Sequence, residues 1–322
     1  MTQPSRIRRF EPIDADYEAI GAIAASFAPD QIYDFEFRSA AEARALDRAF
    51  SDVGQPLARY LAEENGRVAG YAYAFEIAWA PPPGRYWCVI RVAIDDQRKG
   101  IGGRLYESTL ADLVALGAQA IQIEAHESLN ELVAPLRRRG FRELLRSWPF
   151  TLDTRQCDTS RFATAFDHLG ALEITTLAAE QARDPGWLPK LYELHTALSR
   201  DVPIPGHPLP APPLEWFAEH VASLPEAFFI VRDGDQYVAE SYLHRSEDSP
   251  DALSQKVTAV RREYRGRGLA LALKLKTIAF AQRHGYAEIR TGVESNNPAM
   301  LAINARLGFV QGPGLILFEK RL

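Results

Sequence analysis

Two short loops have the residue types and spacing needed to bind a phosphate group. One runs Gln97-Arg98-Lys99-Gly100-Ile101-Gly102 and the other runs Arg265-Gly266-Arg267-Gly268-Leu269-Ala270. Both read Gln or Arg, two residues, Gly, one residue, then Gly or Ala. Each follows an apolar, strand-like run and opens a segment with helical periodicity. Because the first N–H groups of a helix are unpaired and lie at the positive end of its dipole, the pattern predicts two anion sites.

The spacing also indicates which phosphate ligands to exclude. A dinucleotide fingerprint, G-x-G-x-x-G, would need glycine where the chain has Leu105 and Leu271. Neither loop has the G-x-x-x-x-G-K-[ST] sequence that binds nucleoside triphosphates. An adenine-nucleotide binder is therefore disfavoured, and the pyrophosphate of a different cofactor is the better candidate.

The two loops belong to a longer repeat. Gly140-Phe141 follows the first loop and Gly308-Phe309 the second, 40 residues after Gly100 and Gly268 respectively. The copies are offset by 168 residues, and at that offset Val92 aligns with Val260. Matching residue types at one repeated spacing predict a duplicated domain.

The repeated loop, the helix after it, a further strand (Ile121 to Ala125; Ile289 to Val293) and a helix ending in Gly-Phe resemble the GNAT superfamily of acyl-CoA-dependent N-acyltransferases. The resemblance covers roughly 50 residues of each half. The arrangement of two copies in one chain is similar to that of the tandem members of the superfamily. It implies an α+β fold with two GNAT-like domains, each a mixed, mostly antiparallel, splayed sheet flanked by helices. We expect a first domain at residues 1–152, a linker at 153–170 and a second domain at 171–322.

The resemblance implies acetyl-CoA as the cofactor. The loops would bind its pyrophosphate, and the splayed strands would hold the pantetheine arm by main-chain hydrogen bonds. The cofactor-binding residues implied in this way are Val92, Ala93, Ile94, Gln97, Arg98, Lys99, Gly100, Ile101, Gly102, Gly103, Val260, Arg265, Gly266, Arg267, Gly268, Leu269, Ala270 and Asn297.

Acyl transfer to an amine needs a neutral amine, a polarised carbonyl and a proton for the leaving thiolate. Main-chain N–H groups near 92–94 or 260–262 are candidates to polarise the carbonyl. Many relatives place a tyrosine four residues before the Gly of Gly-Phe, where this chain has Leu136 and Asn304. Leucine cannot donate a hydrogen bond, whereas Asn304 can contact the sulfur. Since Asn297 also matches a family asparagine and the first half has Leu129 there, we expect turnover mainly in the second half.

The base that accepts the amine proton is less clearly marked. Glu240 is our prediction, because the second half keeps more of the family's later motifs. Glu76, Tyr73, Tyr242, His244 and a relaying water are alternatives. The predicted function is transfer of an acetyl group from acetyl-CoA directly to a primary amine of a small molecule or peptide. The alternative is a non-catalytic protein that binds or senses acyl-CoA.

Composition limits the partners. The formal charge of −5 and the pI near 5.9 argue against binding nucleic acid or an anionic membrane. Arg137 to Arg139 read as a solvated helix end. Cys88 and Cys157 give neither a disulfide framework nor a metal-ligand spacing, so no metal is expected. Without a long apolar run we expect a cytoplasmic protein, and the internal pseudo-dimer of domains predicts a monomer.

Overall fold

The computed structural model describes residues 6–27, 36–52, 57–77, 83–201, 212–221, 223–246 and 249–322. The helices of this part of the chain are α1 (Asp14–Ala25), α2 (Ala40–Asp52), α3 (Ile101–Ala115), α4 (Asn130–Arg138), α5 (Leu177–Arg183), α6 (Trp187–Ser199), α7 (Leu214–Val221), α8 (Leu269–Arg283) and α9 (Pro298–Leu307). The strands are β1 (Arg6–Arg9), β2 (Ala58–Glu64), β3 (Arg67–Glu76), β4 (Arg85–Val92), β5 (Ala120–His126), β6 (Arg142–Asp153), β7 (Glu173–Thr176), β8 (Phe228–Asp233), β9 (Gln236–Arg245), β10 (Ala252–Val260), β11 (Glu288–Glu294), β12 (Val310–Gln311) and β13 (Leu315–Arg321).

The chain forms two compact units that do not follow the two sequence repeats. Unit 1 contains residues 1–144 and 315–322, and unit 2 contains residues 145–314. The difference from the expected division at 152 and 171 arises because each repeat gives its last strand to the other unit. At the 168-residue offset, β6 corresponds to β12 and β13 together.

Unit 1 is a mixed sheet in the order β1-β2-β3-β4-β5-β13. Its strands are antiparallel except for the parallel pair β4 and β5. Strand β13 completes the sheet, with Leu315 opposite His126 and Arg321 opposite Ala120.

Unit 2 repeats this arrangement in the order β7-β8-β9-β10-β11-β6, again with one parallel pair, β10 and β11. Strand β6 takes the place that β13 has in unit 1. The predicted fold class, α+β with two tandem domains of mixed and mostly antiparallel sheet, is confirmed.

The helices that follow the two loops are anchored by buried apolar side chains. In α3 these include Ile101, Leu105 and Leu113, none of which is more than 1% exposed. In α8 Leu269 and Leu273 occupy the positions of Ile101 and Leu105, and both are equally buried. Burial of one apolar face fixes each helix against its sheet, and thereby fixes the position of its N-terminus.

The segment between the repeats is a packed part of unit 2. Residues Ser160–Phe166 form short 3₁₀ turns, and the side chain of Phe162 is buried in the core of unit 2. The Gln282 amide on α8 donates 2.8 Å hydrogen bonds to the carbonyls of Thr154 and Cys157. On α9 the Arg306 guanidinium lies 5.9 Å from the centre of the Phe162 ring. This segment, 154–166, therefore lies against both α8 and the end of α9.

Within the described residues, no helix combines the length and the apolar character needed to cross a bilayer. The same part of the chain contains no group of three or more His, Cys, Asp or Glu side chains placed to hold a metal ion.

Candidate active site

In each unit, one pair of parallel strands separates after only three residue pairs. Strands β4 and β5 pair from Arg85 to Trp87, after which β4 continues alone to Val92. Strands β10 and β11 pair only from Ala252 to Ser254, and β10 continues to Val260. Main-chain groups of β4 beyond Trp87 and of β10 beyond Ser254 are thus not paired with β5 or β11.

Both phosphate loops lie at the ends of these separated strands. Gly100 and Gly268 are the N-cap residues of α3 and α8, each in the left-handed region with φ of 79°. A side chain at either position would be strained, so glycine is required for the helix to begin there. Gly266 has φ of 77°, whereas its counterpart Arg98 adopts φ of 64° without being glycine.

The first residue of each loop ties the loop to its strand. The Gln97 amide donates to the carbonyl of Val92 at 3.3 Å, and the Arg265 guanidinium donates to the carbonyl of Val260 at 3.0 Å. Val92 and Val260 are equivalent positions in the repeat, and so are Gln97 and Arg265. The first residue of the loop pattern therefore has a structural role that was not predicted from the sequence, since a glutamine or an arginine side chain can supply this N–H.

Several loop cations are held by nearby carboxylates. Lys99 and Arg67 bind the buried Asp96 at 2.8 and 2.6 Å. Both hydrogen bonds lower the pKa of Asp96, and the bond from Lys99 has the larger effect. In unit 2, Arg262 and Arg265 bind Asp201, and their hydrogen bonds lower the pKa of that carboxyl. Fewer guanidinium and ammonium groups are therefore directed at a ligand than the sequence alone suggested.

A cleft of about 640 Å³ opens beside the loop of unit 1. It is lined by the loop itself, including Gln97, Arg98 and Gly100 to Gly103, and by the separated parts of β4 and β5. Its far end reaches Phe27 and Glu36. The predicted residues Val92 and Ile101 also line it, so the structure brings most of the first set of predicted cofactor residues into one cavity.

The wall of this cleft is more basic than expected. Arg104 on α3 and Arg138 and Arg139 at the end of α4 all line it. Arg139 also lies 5.6 Å from the centre of the Tyr106 ring. Arg138 is exposed, as expected for a solvated helix end, but it also lines the cleft, and Arg139 is only partly exposed. The signal was the position of these arginines just before Gly140-Phe141, where α4 turns back toward the loop.

The equivalent surface of unit 2 is apolar and buried. Leu271, Leu275 and Leu307 replace the cleft residues Gly103, Glu107 and Arg139, and they are at most 9% exposed. Arg306, the counterpart of Arg138, contacts segment 154–166. Cys157 in that segment donates from its sulfur to the carbonyl of Leu307 at 3.6 Å. Segment 154–166 thus covers the region that is open in unit 1.

On the other side of β4, unit 1 has a buried ion pair. Arg91 binds Glu36 through two hydrogen bonds of 2.8 and 2.9 Å, and the side chains are 7% and 6% exposed. Tyr71, opposite Arg91 on β3, is 2% exposed, and among the described residues its hydroxyl has no hydrogen-bond partner. Burial raises the pKa of Tyr71, so this phenol stays protonated.

The same place in unit 2 holds a carboxylate and an imidazole. Glu240, opposite Ala259 in the β9–β10 pair, is fully buried. Its Oε1 lies 2.7 Å from Nδ1 of His195, which comes from α6. His195 was not among the candidates drawn from the sequence, because no motif links α6 to β9 and only the packing brings them together.

The two asparagines predicted to act in unit 2 differ in their contacts. Asn297 is the N-cap of α9, where its side chain accepts from the N–H of Met300 at 3.2 Å. Asn304 is fully buried, and within the described part of the chain neither polar atom of its amide has a partner. An unsatisfied buried amide is costly, so Asn304 is a position that a ligand group would satisfy.

Nearby, Lys274 on α8 is fully buried, and among the described residues no carboxylate pairs with its ammonium. Its ammonium donates to Gln255 Oε1 at 2.9 Å and lies 4.7 Å from the centre of the Phe309 ring. Burial lowers the pKa of Lys274 to about 7. The equivalent residue of unit 1 is Tyr106.

Other predicted groups have different positions. The N–H of Ala93 donates to Ala69 and that of Arg261 to Val238, both at 2.9 Å, so neither can polarise a substrate carbonyl as expected. Ile94 is 55% exposed. Of the alternative bases, Glu76 accepts from the N–H of Gly84 at 2.7 Å, Tyr73 is buried against Phe37, and His244 packs on Tyr242.

The comparisons with known proteins agree with this geometry. The profile described as "Acetyltransferase (GNAT) family" matches residues 17–141 and 189–309. The chain therefore belongs to the GNAT acetyltransferase family, and it carries two copies of the family domain, as the repeats predicted. No curated protein sequence matches this chain.

Similar solved structures include other proteins with this arrangement. A GCN5-related N-acetyltransferase from Sphaerobacter thermophilus has 18% identity and a TM-score of 0.63, covering 98% of this chain and 95% of that one. A tandem GNAT protein from the clavulanic acid biosynthesis pathway has 16% identity and a TM-score of 0.62, covering 98% of both chains. At these identities the likeness shows the fold.

Proposed function

We propose that this protein is an acetyl-CoA-dependent N-acetyltransferase that acts on a primary amine of a small molecule or peptide. The observation that carries the proposal is the cleft of unit 1, which runs from the phosphate loop along the separated strands. A family member with such a cleft is suited to a cofactor that has a pyrophosphate at one end and a long, flexible arm at the other.

The residues present fit coenzyme A in unit 1. The N-terminus of α3 and Arg98 would hold the pyrophosphate, and Arg104, Arg138 and Arg139 would hold further phosphate oxygens. A Cβ built on Gly103 would lie 2.8 Å from a guanidinium nitrogen of Arg139, so a side chain there would displace the end of this arginine. When bound, acetyl-CoA supplies the activated acetyl thioester.

We assign turnover to unit 2, where the acid–base groups lie. Asn304 occupies the position from which a side chain would contact the thioester sulfur, and its unsatisfied amide fits that role. Glu240 lies opposite Ala259, on the separated part of β10, and with His195 it places an acid–base pair beside that edge of the strand. The loop at 265–270 and Asn297 would hold the cofactor there, more weakly than in unit 1 because segment 154–166 covers part of the site.

The second candidate function is a non-catalytic acyl-CoA-binding protein. It is favoured by one observation, that the unit with the open cleft has Leu136 at the position of the proton donor and the ion pair Arg91–Glu36 on the acceptor side. Binding without turnover would identify this function.

Calorimetric titration of the full chain with acetyl-CoA tests the cofactor assignment. Free-thiol release, measured with a panel of primary amines from methylamine to phenethylamine and spermidine, tests turnover. We expect one tight site, a second weaker site, and release with at least one amine. No affinity for acetyl-CoA contradicts the proposal, and binding without release by any amine favours the non-catalytic alternative.

A matched pair of variants assigns each function to a unit. Gly102→Glu and Ala270→Glu place a carboxylate at equivalent positions of the two loops, where it repels phosphate. We expect the first to remove the tight site and the second to reduce turnover, while Val114→Glu on the exposed face of α3 changes neither. Loss of turnover in Gly102→Glu alone would move the reaction to unit 1.

Asn304→Leu installs the residue that unit 1 has at the equivalent position. We expect turnover to fall at least tenfold, because the contact with the sulfur is lost, while the free energy of unfolding rises by about 1–2 kcal/mol as an unsatisfied buried amide is removed. Urea denaturation and thiol release measure the two effects. A stability gain with undiminished turnover would remove Asn304 from the reaction.

A further inference from the structure

The buried pair in unit 2 has only one member that reaches solvent. The Glu240 side chain is 0% exposed, whereas that of His195 is 18% exposed. Oε1 of the carboxylate is held by His195 Nδ1 at 2.7 Å, and Oε2 has no hydrogen-bond partner among the described residues. A substrate amine therefore meets the imidazole before it can meet the carboxylate.

The pair lies beside the separated edge of the sheet. Glu240 is opposite Ala259, and β10 pairs with β11 only as far as Ser254. Ala259 is thus on the part of β10 that is free to receive an acyl group. Side chains opposite each other on antiparallel strands have Cβ atoms roughly 5 Å apart, so Glu240 places the imidazole close to that edge.

Packing holds the imidazole in one orientation. The ring centre lies 5.0 Å from that of Phe217 on α7 and 6.5 Å from that of Tyr242 on β9. With Nδ1–H donating to the carboxylate, Nε2 is left as the acceptor. A base oriented by a buried acid is a recurring arrangement for proton transfer in enzymes.

We propose that His195 is the group that accepts the proton of the acceptor amine in unit 2, and that Glu240 is a positioning residue that orients the imidazole and stabilises its charged form. This inference rests on the proposed function. It assigns the amine proton to His195, which is closer to solvent than Glu240, the base predicted from the sequence.

The reaction balances with these groups. The neutral amine nitrogen forms a bond to the thioester carbon and loses one proton to His195 Nε2. The carbon–sulfur bond breaks, and the thiolate leaves with its electron pair. The imidazolium then gives up the proton, which ends on the thiolate directly or through water. The products are an N-acetyl amine and free coenzyme A.

The titratable surroundings of His195 are few. From β9 it is faced by Glu240 and Tyr242, and burial raises the pKa of Tyr242, which keeps this phenol neutral. Phe217 on α7 is not ionisable, and Glu193 on α6 is paired with Arg261. Burial lowers the pKa of His195, but the hydrogen bond and charge of Glu240 outweigh this effect, so its pKa is raised. Activity should therefore appear as pH rises through a value above the ordinary histidine pKa near 6.5.

Three variants of the full chain test the proposal, with acetyl-CoA and the most active amine of the panel. For His195→Gln we expect kcat to fall about 100-fold or more, with the affinity for acetyl-CoA within about threefold of wild type. For Glu240→Gln we expect a smaller fall in kcat and an acid limb of the pH profile moved to lower pH, because the imidazole loses the charge that raises its pKa. His220→Gln, which changes an exposed histidine of α7, is the control and should match wild type.

Two further measurements guard against a folding defect. Imidazole added to His195→Ala should restore part of kcat. Nitrogen-15 NMR of the histidine rings should give His195 a pKa above the ordinary histidine value, and Glu240→Gln should lower the pKa of His195.

The inference is overturned if His195→Gln keeps more than half of kcat while Glu240→Gln loses 100-fold, since Glu240 would then be the proton acceptor. An acid limb that does not move in Glu240→Gln, or a His195 pKa that Glu240→Gln leaves unchanged, removes the positioning role. Absence of thiol release by the wild type contradicts the proposed function, and the NMR result then decides the pairing alone.

Discussion

The two units have the same topology but differ on opposite sides of the separated strands. On the cofactor side, unit 1 has an open cleft of about 640 Å³ with arginines on its wall, whereas unit 2 has Leu271 and Leu307 beneath segment 154–166. At the place where unit 2 has His195 and Glu240, unit 1 has the buried pair Arg91–Glu36, which lines its cleft. The two copies have thus diverged, since one has the open cleft and the other has the imidazole–carboxylate pair.

This difference teaches that the loop motif does not distinguish the two units. The backbone of the two loops is nearly the same, down to φ of 79° at Gly100 and Gly268. The side chains that distinguish the units lie between 3 residues (Gly103 and Leu271) and 73 residues (His195) from these glycines in sequence. The loop motif is therefore no guide to which copy would turn over.

Breaking the buried ion pair Arg91–Glu36 of unit 1 should produce the largest effect on stability. In Glu36→Gln the buried Arg91 loses its counter-charge, and we expect the free energy of unfolding to fall by about 3–5 kcal/mol. Urea denaturation measures it. The control is Glu18→Gln, in an exposed pair with Arg44 at 3.3 Å, where the change should be at most about 0.5 kcal/mol. Equal effects of the two variants would mean that the buried pair is not structural.

Exchange of one wall residue should weaken the cofactor side of unit 1. Arg139→Leu installs the residue found in unit 2, and we expect the affinity of the tight acetyl-CoA site to fall about 10- to 100-fold, or about 1.5–3 kcal/mol, through loss of a charge-assisted contact to phosphate. Calorimetry measures it, with Arg306→Leu in unit 2 as the control. If the control weakens the tight site as much, that site is not the unit 1 cleft.

The last comparison concerns the pH dependence of stability that arises from Lys274, the buried lysine that replaces Tyr106 in unit 2. The pKa of Lys274 is about 7 when folded and near 10.4 when unfolded, so the unfolded chain binds the extra proton between these values. The contribution of Lys274 to stability should rise by up to about 1.4 kcal/mol per pH unit from pH 7 to 10 and be flat below pH 6.

Lys274→Met should remove that dependence and raise stability most at low pH. The control, Lys276→Met, changes an exposed lysine on the same helix. Urea midpoints at pH 6, 7, 8 and 9 measure the difference, and parallel curves for wild type and Lys274→Met would contradict the assigned pKa.

Much of the fold could be predicted from the sequence. The loop pattern and the 168-residue offset predicted a duplicated domain, because local pattern and repetition are both visible in one dimension. The resemblance to the GNAT superfamily implied the α+β fold of each domain and the separated strands beside the loops. The left-handed N-caps at Gly100 and Gly268 were not predicted and are a finding of the structure.

The candidate site was less predictable, because it depends on contacts between distant segments. His195 and Glu240 lie on a helix and a strand that no motif connects, and Glu36 meets Arg91 in the same way. The run of charges before Gly140 marked a solvated helix end but did not indicate that Arg138 and Arg139 line the cleft. The division of the chain into units differed for a related reason, since the periodicity of a strand does not indicate which sheet it joins.

The exchanged strands also affect the order in which the two units can complete their folding. Unit 2 is contiguous, residues 145–314, and its sheet is complete once β11 can pair with β6. Unit 1 must wait for residues 315–321, because β5 has no outer neighbour until Arg321 reaches Ala120. Domains usually fold in the order of synthesis, N-terminal first. In this chain the N-terminal unit, which holds the larger cleft, reaches its final form after the one that is translated later.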